Sequence, residues 1–424
     1  MNEGNSPIDL IPMGDPAQKS ILKVIGVGGG GGNAVNHMFR EGFHDANLVV
    51  CNTDSKALET SPVPVRVQLG PGLGAGDNPA EGRRIAEESL DKVNAMLDKG
   101  TEMVFITAGM GGGTGTGAAP VVAREARKKN ILTVGIVTIP FWFEGKKKIV
   151  KALGGVEAMA KEVDALLVIN NERLIDLYSD RSVEASFRIA DETLSVAVRS
   201  ISEIITMHGI VNLDFKDVNM VLRNGGVAIM STGYSEGEGR VTKAIENALH
   251  SPLLNNNDVY NSRRFILCVS YSKESKLMVE EMNEITAFME KFRDDVQVKW
   301  GMKEDNSLGD RIKITILASG FSINQLEGMD EKLSAEEAER QEQEQRMEDL
   351  IEQLYGTNRG GKKMRPKPKV FIFETVADLD NDDLVSDVEN TATYSRNNDT
   401  LNKIRRKVQR PDTAVKMGAM PVLE

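Results

Sequence analysis

The chain has 424 residues, of which 40% are hydrophobic and 27% charged, and its formal net charge is −11. The length predicts two packed domains and an unpacked extension, and the composition is typical of a soluble globular protein. The acidic balance argues against a nucleic-acid binder, whose affinity comes from neutralising phosphates, and no apolar run approaches the roughly 18 residues needed for direct membrane insertion.

The first residues and the metal-binding residue types exclude further classes of protein. The start, MNEGNSPIDLIPMGDP, has acids and prolines where a signal peptide has a basic end and an apolar stretch, so we expect a flexible segment at 1–20 and a cytoplasmic protein. Cys51 and Cys268 lie far apart in apolar runs, which predicts buried reduced thiols. The four histidines form no HExxH or His-x-His cluster, so we expect no dedicated metal site.

Short β-rich runs alternate with amphipathic stretches in the first half of the chain. This alternation predicts βαβ units around a mostly parallel sheet. Between Val183 and Thr206, apolar residues recur at three- and four-residue steps and predict a long, largely buried helix. We predict a first domain at 21–210 that includes this helix. Its β-rich runs are 21–27, 48–54, 103–109, 132–140 and 165–171.

The second half begins with the same alternation and ends without it. Runs at 227–233, 264–272 and 311–320 predict a smaller α/β domain at 211–325, with helical patterns at 240–250 and 276–292 between them. Blocks of like charge then predict a linker at 326–389, with one transient helix or short coiled coil at 334–354. The tail, 390–424, has apolar residues among bases and is compatible with a partner-binding peptide or an inert solvated end.

The first predicted strand runs directly into the glycine-rich stretch GVGGGGGNAVNHMF. Glycines 28–32 therefore lie where a strand turns into a helix, and backbone N–H groups and the helix dipole there favour an anion. Gly26, Gly28 and Gly31 also match G-x-G-x-x-G, with Asp54 ending the next strand, so an NAD-binding fingerprint is formally present. This match alone is a weak signal.

Two further glycine-rich turns favour an oligophosphate over a dinucleotide. GGGTGTG at 111–117 again follows a strand, and its Thr114 and Thr116 add hydroxyl donors. A third turn, GLGAGDNP at 72–79, precedes a helix that starts near Pro79. One such turn is usually an ordinary tight turn, but three at βα junctions are not. No GxxxxGK[ST] occurs, so a P-loop is excluded, and backbone dipoles, nearby cations and Mg²⁺ must neutralise the phosphates.

The segment NLDFKDV at 212–218 contains Asn212, Asp214 and Asp217 in N-x-D-x-x-D spacing. By itself this pattern predicts a helix start, with Asp214 as the N-cap and Asp217 in the first turn.

GGGTGTG is the signature of the tubulin/FtsZ superfamily, and the chain resembles its bacterial FtsZ family from Lys23 to about Phe321. The matching stretches are KVIGVGGGGGNAVNHM, NTDSKAL, LGAGDNPAEG, ITAGMGGGTGTGAAPVVA, PFWFEGKKK, NLDFKDV and SPLLNN. The resemblance implies an α/β fold: a Rossmann-like parallel-sheet GTPase domain, joined by a long helix to a smaller α/β C-terminal domain and followed by a disordered tail.

The resemblance also implies that the chain binds GTP and GDP, with Mg²⁺ on the phosphates. Asn171 and Asp191 resemble the pair that reads the guanine base, Phe187 the aromatic beside it, and Glu144 the glutamate near the ribose. Lys148 stands where the family has an arginine that reaches the nucleotide. The remaining implied nucleotide-binding residues are Gly28, Gly29, Gly30, Gly31, Asn33, Gly74, Ala75, Gly76, Gly111, Gly112, Gly113, Thr114, Gly115 and Thr116.

For hydrolysis, Asn212, Asp214 and Asp217 resemble the loop that enters the nucleotide site of the adjacent subunit. This implies a homopolymer of dynamic head-to-tail filaments that form a division ring at midcell, beneath the membrane. Membrane-tethering and regulatory division proteins would bind the tail.

Three departures from the family limit what the resemblance implies. Lys148 loses the bidentate fork of arginine, Asn170 replaces a proline, and the tail lacks the short apolar peptide that most relatives use for docking. Residues 378–387 or 394–407 are candidates for a divergent docking motif. Two alternatives stay open: an NAD-dependent oxidoreductase, which leaves GGGTGTG unexplained, and a tubulin-like regulator that binds nucleotide without robust polymerisation, suggested by Lys148.

Overall fold

The computed structural model describes residues 20–97, 100–177, 182–206, 209–251, 259–293, 295–321 and 385–388. The predictions for the flexible start, for the helix at 334–354 and for the tail lie outside these ranges. Between 322 and 424 only one helical turn, at 385–388, is described.

The described part up to residue 321 is built on one eleven-stranded sheet, ordered β3-β2-β1-β4-β5-β6-β8-β11-β9-β10-β7. β3, β7 and β10 are strands that the hydrophobic pattern did not predict, because they are short or interrupted by lysines. The strands are β1 (Leu22–Val27), β2 (Asn47–Asn52), β3 (Val65–Gln68), β4 (Met103–Gly109), β5 (Leu132–Ile139), β6 (Ala165–Asn170), β7 (Gly209–Val211), β8 (Gly226–Ser235), β9 (Arg264–Tyr271), β10 (Gln297–Glu304) and β11 (Ile312–Phe321).

Strand direction divides the sheet into two regions. From β3 to β8 every neighbouring pair is parallel, as βαβ units require, whereas β11 is antiparallel to both β8 and β9. The regions join where Ala165 pairs with Gly226 and Leu166 with Val227. The sheet is therefore continuous across the predicted domain junction near residue 210, and the domain boundaries stay a prediction.

Helices cover both faces of the sheet. α1, α8 and α9 pack on one face, and α3 to α6, α10 and α11 on the other. The predicted long helix is confirmed as α8, and buried apolar side chains follow its inner face. The helices are α1 (Gly28–Arg40), α2 (Ser55–Glu59), α3 (Pro79–Glu88), α4 (Leu90–Met96), α5 (Thr114–Lys128), α6 (Lys146–Glu162), α7 (Asn171–Leu177), α8 (Val183–Thr206), α9 (Phe215–Leu222), α10 (Arg240–Leu249) and α11 (Glu281–Met289).

Two further sequence-based predictions are confirmed: the buried free thiols and a helix that starts near Pro79. Cys51 and Cys268 are buried free thiols, and burial raises the pKa of Cys51 to about 12. Asn78 caps α3 by accepting from the Ala80 N–H, with Pro79 in the first turn. Within the described residues, no helix is both long and apolar enough to cross a membrane.

Candidate functional site

The first glycine loop is the direct passage from β1 into α1. Gly28 has φ +72°, and a Cβ on Gly31 would lie 2.1 Å from the Thr107 carbonyl oxygen, so α1 packs main chain to main chain on β4. Gly30 approaches Gly109 in the same way. A Cβ on Gly29 would meet nothing within 4 Å. Most of these glycines therefore pack the helix on the sheet, while Gly29 leaves the loop open to a ligand.

A small cleft extends from the first loop toward β2. Its volume is about 80 Å³, and Gly29 and Asn33 line it together with Asn52 of β2. Asn33 thus lies beside the loop, where the sequence predicted it.

The second glycine loop connects β4 to α5 and touches the first. Gly111, with φ +102°, donates its N–H to Thr116 Oγ1 at 2.8 Å. A Cβ on Gly115 would lie 2.5 Å from the Gly109 carbonyl oxygen, and one on Gly28 would lie 2.8 Å from the Gly115 nitrogen. Gly112 faces open space. The structure brings these two predicted loops together at the carboxyl ends of β1 and β4.

The third glycine loop joins the other two through β2. The Gly74 N–H donates to the Thr53 carbonyl at 2.8 Å, and a Cβ on Gly113 would lie 2.9 Å from the Ala75 Cβ. Gly74 and Gly76 have positive φ, and a Cβ on either would meet nothing within 4 Å. All three loops therefore lie around the carboxyl ends of the parallel strands.

Thr53 is a site residue that the sequence analysis missed. Its hydroxyl lies 2.6 Å from the hydroxyl of Thr114, so it joins the end of β2 to the start of α5. Its position near the end of the predicted β-rich run 48–54 was the available signal, but nothing in the sequence shows which loop it meets.

The residues predicted to read the base have polar atoms without partners. Asn171 is 5% exposed, and its buried Oδ1 accepts no hydrogen bond within the described ranges. Burial raises the pKa of Asp191 to about 7, and the described residues place no cation beside it. Asp191 is therefore not the ordinary exposed helix residue that its sequence context alone suggests. Phe187 is 42% exposed and packs edge-on against Phe141, with ring centroids 5.1 Å apart.

Glu144 and Lys148 pair with each other beside the second glycine loop. Glu144 accepts the Phe141 N–H at 2.9 Å and forms an ion pair with Lys148 one turn along α6. The alkyl chain of Lys148 crosses Gly111, where a Cβ would lie 2.8 Å from Lys148 Cγ. Asn170, which replaces a family proline, accepts the Glu172 N–H at 3.0 Å and so starts α7.

The segment NLDFKDV forms the predicted helix start. Asp214 accepts the Asp217 N–H at 3.0 Å, and Asp217 Oδ2 accepts the Asp214 N–H at 3.1 Å, so the two residues form a reciprocal cap of α9. Asn212 Oδ1 accepts the Gly209 N–H at 2.7 Å. Asp217 Oδ1 also lies 3.0 Å from Lys299 Nζ on β10.

This segment lies near the amino ends of the strands, whereas the glycine loops lie at the carboxyl ends of the parallel strands. Arg223, directly after α9, pairs with Asp164 before β6, and Asp164 accepts the Thr133 N–H at the start of β5. Lys299, which contacts Asp217, is near the amino end of β10. β7 is also seven strand positions from β4, about 30 Å at ordinary strand spacing. Within one chain, the carboxylates and the phosphate-type loops are not brought together.

Family models match three parts of the chain. The model described as Tubulin/FtsZ family, GTPase domain, matches residues 21–179, and the model of the FtsZ family C-terminal domain matches 226–322. A third model, described as FtsZ, C-terminal, matches 365–411.

Individual proteins and structures agree with these matches. The cell division protein FtsZ of Porphyromonas gingivalis is 46% identical over 404 residues, covering 91% of this chain and 87% of the relative. That of Pseudomonas aeruginosa is 42% identical over 311 residues, covering 72% and 78%. An empty FtsZ dimer from M. jannaschii superposes with TM-score 0.65 at 35% identity, covering 72% of this chain and 89% of that one. CetZ1 from Haloferax volcanii, at 22% identity, 75% and 99% coverage and TM-score 0.65, shares the fold. The chain therefore belongs to the FtsZ family and carries its guanine-nucleotide-binding GTPase domain.

Proposed function

We propose that this chain is a polymerising GTPase of bacterial cell division, which hydrolyses GTP at the interface between adjacent subunits of a head-to-tail filament. The observation that carries the proposal is the separation described above. The three glycine loops lie at the carboxyl ends of the parallel strands, and Asp214 and Asp217 lie near the amino ends, on the opposite side of the subunit. A second copy stacked in the same orientation brings its carboxylates to these loops. Such a heterologous contact does not close, and contacts of this kind build filaments.

The groups left without partners support guanine nucleotide as the ligand. The Asp191 carboxylate accepts from guanine N1–H and the 2-amino group, donors that adenine lacks. Asn171 Oδ1 is a buried acceptor that no described group satisfies, and a buried acceptor without a partner is costly. The main chain at Gly29, Gly76 and Gly112 is open, because a Cβ there would meet nothing within 4 Å, and its N–H groups have room for phosphate oxygens.

Mg²⁺ fits the same site as an ion held mainly by the phosphates. The described residues contain no group of three His, Cys, Asp or Glu side chains that converge on one point. Bound there, Mg²⁺ would neutralise phosphate charge that no Walker lysine neutralises.

In hydrolysis the neighbouring subunit supplies the carboxylates. Asp214 and Asp217 polarise and orient the water that attacks the γ-phosphate, and Asn212 holds the turn before them through the Gly209 N–H. Lys148 and Glu144 hold each other beside the nucleotide. Loss of the γ-phosphate weakens the contact between neighbours, which makes the filament dynamic.

The experiment that tests the proposal measures GTPase rate per subunit against protein concentration. We expect the rate to rise steeply above a threshold, at which electron microscopy with GTP and Mg²⁺ begins to show filaments. A rate per subunit that stays flat across the threshold contradicts hydrolysis between subunits. Saturation of the site by NADH rather than GTP would contradict the nucleotide itself.

The proposal extends to location and partners. We propose that the polymer lies at midcell beneath the membrane and that membrane-tethering and regulatory proteins bind the tail. A family model matches 365–411, which covers the end of the predicted linker and the first part of the tail. Removal of residues 378–424, which contain both candidate docking motifs, should leave GTPase activity and filaments intact while a fluorescent fusion no longer concentrates at midcell. A truncated protein that still forms a midcell ring contradicts the tail assignment.

A further inference from the structure

We infer that one face of strand β10 is the platform that positions the catalytic carboxylate Asp217, with Lys299 as the positioning residue that holds it. This inference rests on the proposed function and names residues that neither the sequence nor the family resemblance singled out. Three alternate residues of β10 contact this part of the chain: Lys303 contacts the chain before the segment 212–217, Gly301 contacts its middle and Lys299 contacts its last residue.

The contact before the segment is a buried ion pair at the carboxyl end of α8. Glu203 Oε2 lies 2.7 Å from Lys313 Nζ on β11 and 3.7 Å from Lys303 Nζ on β10. Both lysine side chains are at most 8% exposed. Lys303 is also paired in register with Gly209 of β7, which follows α8. The end of α8 and the start of β7 are thus fixed to the same position of β10.

The contact within the segment depends on a missing side chain. A Cβ on Gly301 would lie 2.6 Å from the Leu213 side chain and 3.1 Å from the Val211 carbonyl oxygen. Leu213, between Asn212 and Asp214, is 7% exposed. The middle of the segment therefore presses its apolar side chain directly on the β10 main chain, and only glycine leaves the space.

The contact at the end of the segment involves the carboxylate itself. Lys299 Nζ lies 3.0 Å from Asp217 Oδ1, while Asp217 Oδ2 accepts the Asp214 N–H. With one donor on each oxygen, the carboxylate is held from both sides and keeps lone pairs for a water molecule. Lys299 is 46% exposed, so this pair contributes little to stability. Its consequence is orientation rather than folding.

Alternation along the strand explains why three contacts share a face. Residues 299, 301 and 303 point to the same side, and about 13 Å of extended strand separates the first from the last. Catalytic groups must be held within about 0.5 Å of their working position by supporting contacts. β10 supplies these contacts to a segment that otherwise has only a three-residue strand before it and a short helix after it.

The test compares Lys299→Met with a matched control. Lys273→Met also removes a lysine that pairs with an acid of β10, because Lys273 Nζ lies 3.2 Å from Glu304 Oε1, but that acid is on the other face. Turnover per assembled subunit should fall about tenfold in Lys299→Met and stay within twofold in Lys273→Met, with GTP affinity and the threshold for assembly unchanged in both. Lys299→Arg, which keeps the charge, should recover most of the turnover.

A local measurement separates positioning from general destabilisation. Amide hydrogen exchange of residues 212–217 should be faster in Lys299→Met and in Gly301→Ala, and exchange of residues 111–117 should not change. If Lys299→Met matches the Lys273→Met control in turnover and exchange while Asp217→Ala abolishes turnover, the platform is wrong and the proposed function stands. If Asp217→Ala itself hydrolyses GTP normally, both are wrong.

Discussion

Candidate site residues lie at the carboxyl ends of the strands and near their amino ends, and these two regions differ in how their polar groups are satisfied. At the carboxyl ends of the parallel strands, several glycines of the loops face open space, and Asn171 Oδ1 is buried and accepts no hydrogen bond from the described residues. Asp191 of α8 carries a raised pKa. Near the amino ends, all three polar side chains accept hydrogen bonds from main-chain N–H groups close to them in sequence. Asn212 accepts from Gly209, and Asp214 and Asp217 accept from each other.

This difference indicates two kinds of functional residue. Groups that bind a ligand directly are left incomplete by the fold, because the ligand supplies their partners. Groups that act on a ligand held by another molecule must already be arranged before contact, because positioning is most of their contribution. The predictions below test this contrast.

The largest expected effect is on turnover. Asp217→Ala should lower the GTPase rate of assembled protein by at least about 100-fold, because an oriented base contributes about 10²–10⁴-fold. GTP affinity and filament formation should persist, as measured by equilibrium binding and sedimentation. Loss of nucleotide binding in this variant would place Asp217 in its own subunit's site and contradict the distinction between the two kinds of residue.

A pair of glycine substitutions separates packing from ligand binding within one loop. Gly115→Ala places a Cβ 2.5 Å from the Gly109 carbonyl oxygen and should destabilise the protein by about 3 kcal/mol. A Cβ at Gly112 meets open space, so the free energy of unfolding of Gly112→Ala should stay within about 0.5 kcal/mol of that of the parent protein. Its GTP binding should be weaker. Denaturant unfolding without nucleotide measures both. Equal stability losses would show that the loop is not divided in this way.

Asp191 should control nucleotide choice. Asp191→Asn removes the charged acceptor and should weaken GTP binding about 10–100-fold, since hydrogen bonds to charged groups are worth about 1.5–3 kcal/mol. In the parent protein, affinity should fall as pH is lowered through 7, because the carboxylate protonates near that pH. A titration at several pH values checks this, and an equally pH-dependent Asp191→Asn protein would contradict it.

The same pKa makes a prediction about the empty protein. The folded pKa of Asp191, about 7, lies above the value of about 3.9 for an unfolded Asp, so the folded state binds more protons between pH 4 and 7. Stability from this group therefore rises as pH falls through that window. Without nucleotide at pH 8, Asp191→Asn should melt a few degrees higher than the parent protein. A lower melting temperature would indicate that a cation compensates Asp191.

The smallest effect is expected at Lys148. Lys148→Met removes a partly exposed ion pair with Glu144 and should weaken GTP binding about threefold with little change in stability. Lys148→Arg should bind at least as well as the parent protein, because the fork can contact phosphate at two points. If Lys148→Arg formed filaments and the parent protein did not, the alternative of a regulator that does not polymerise would gain support.

Local features were predictable from the sequence because they depend on near neighbours. The strand-to-helix glycine turns, the long amphipathic helix α8 and the helix start with Asp214 as N-cap and Asp217 in the first turn are all encoded by residues close together in sequence. The structure confirms each of them. The domain boundaries and the roles carried over from the family stay predictions.

Tertiary structure alone decided the features that join distant parts of the chain. The hydroxyl contact of Thr53 with Thr114 joins residues 61 positions apart, and the ion pair of Lys299 with Asp217 joins residues 82 positions apart. Such contacts depend on strand order and register, which no local pattern encodes. Likewise, the pKa of Asp191 is raised by burial, and burial exists only once α8 has packed on the sheet.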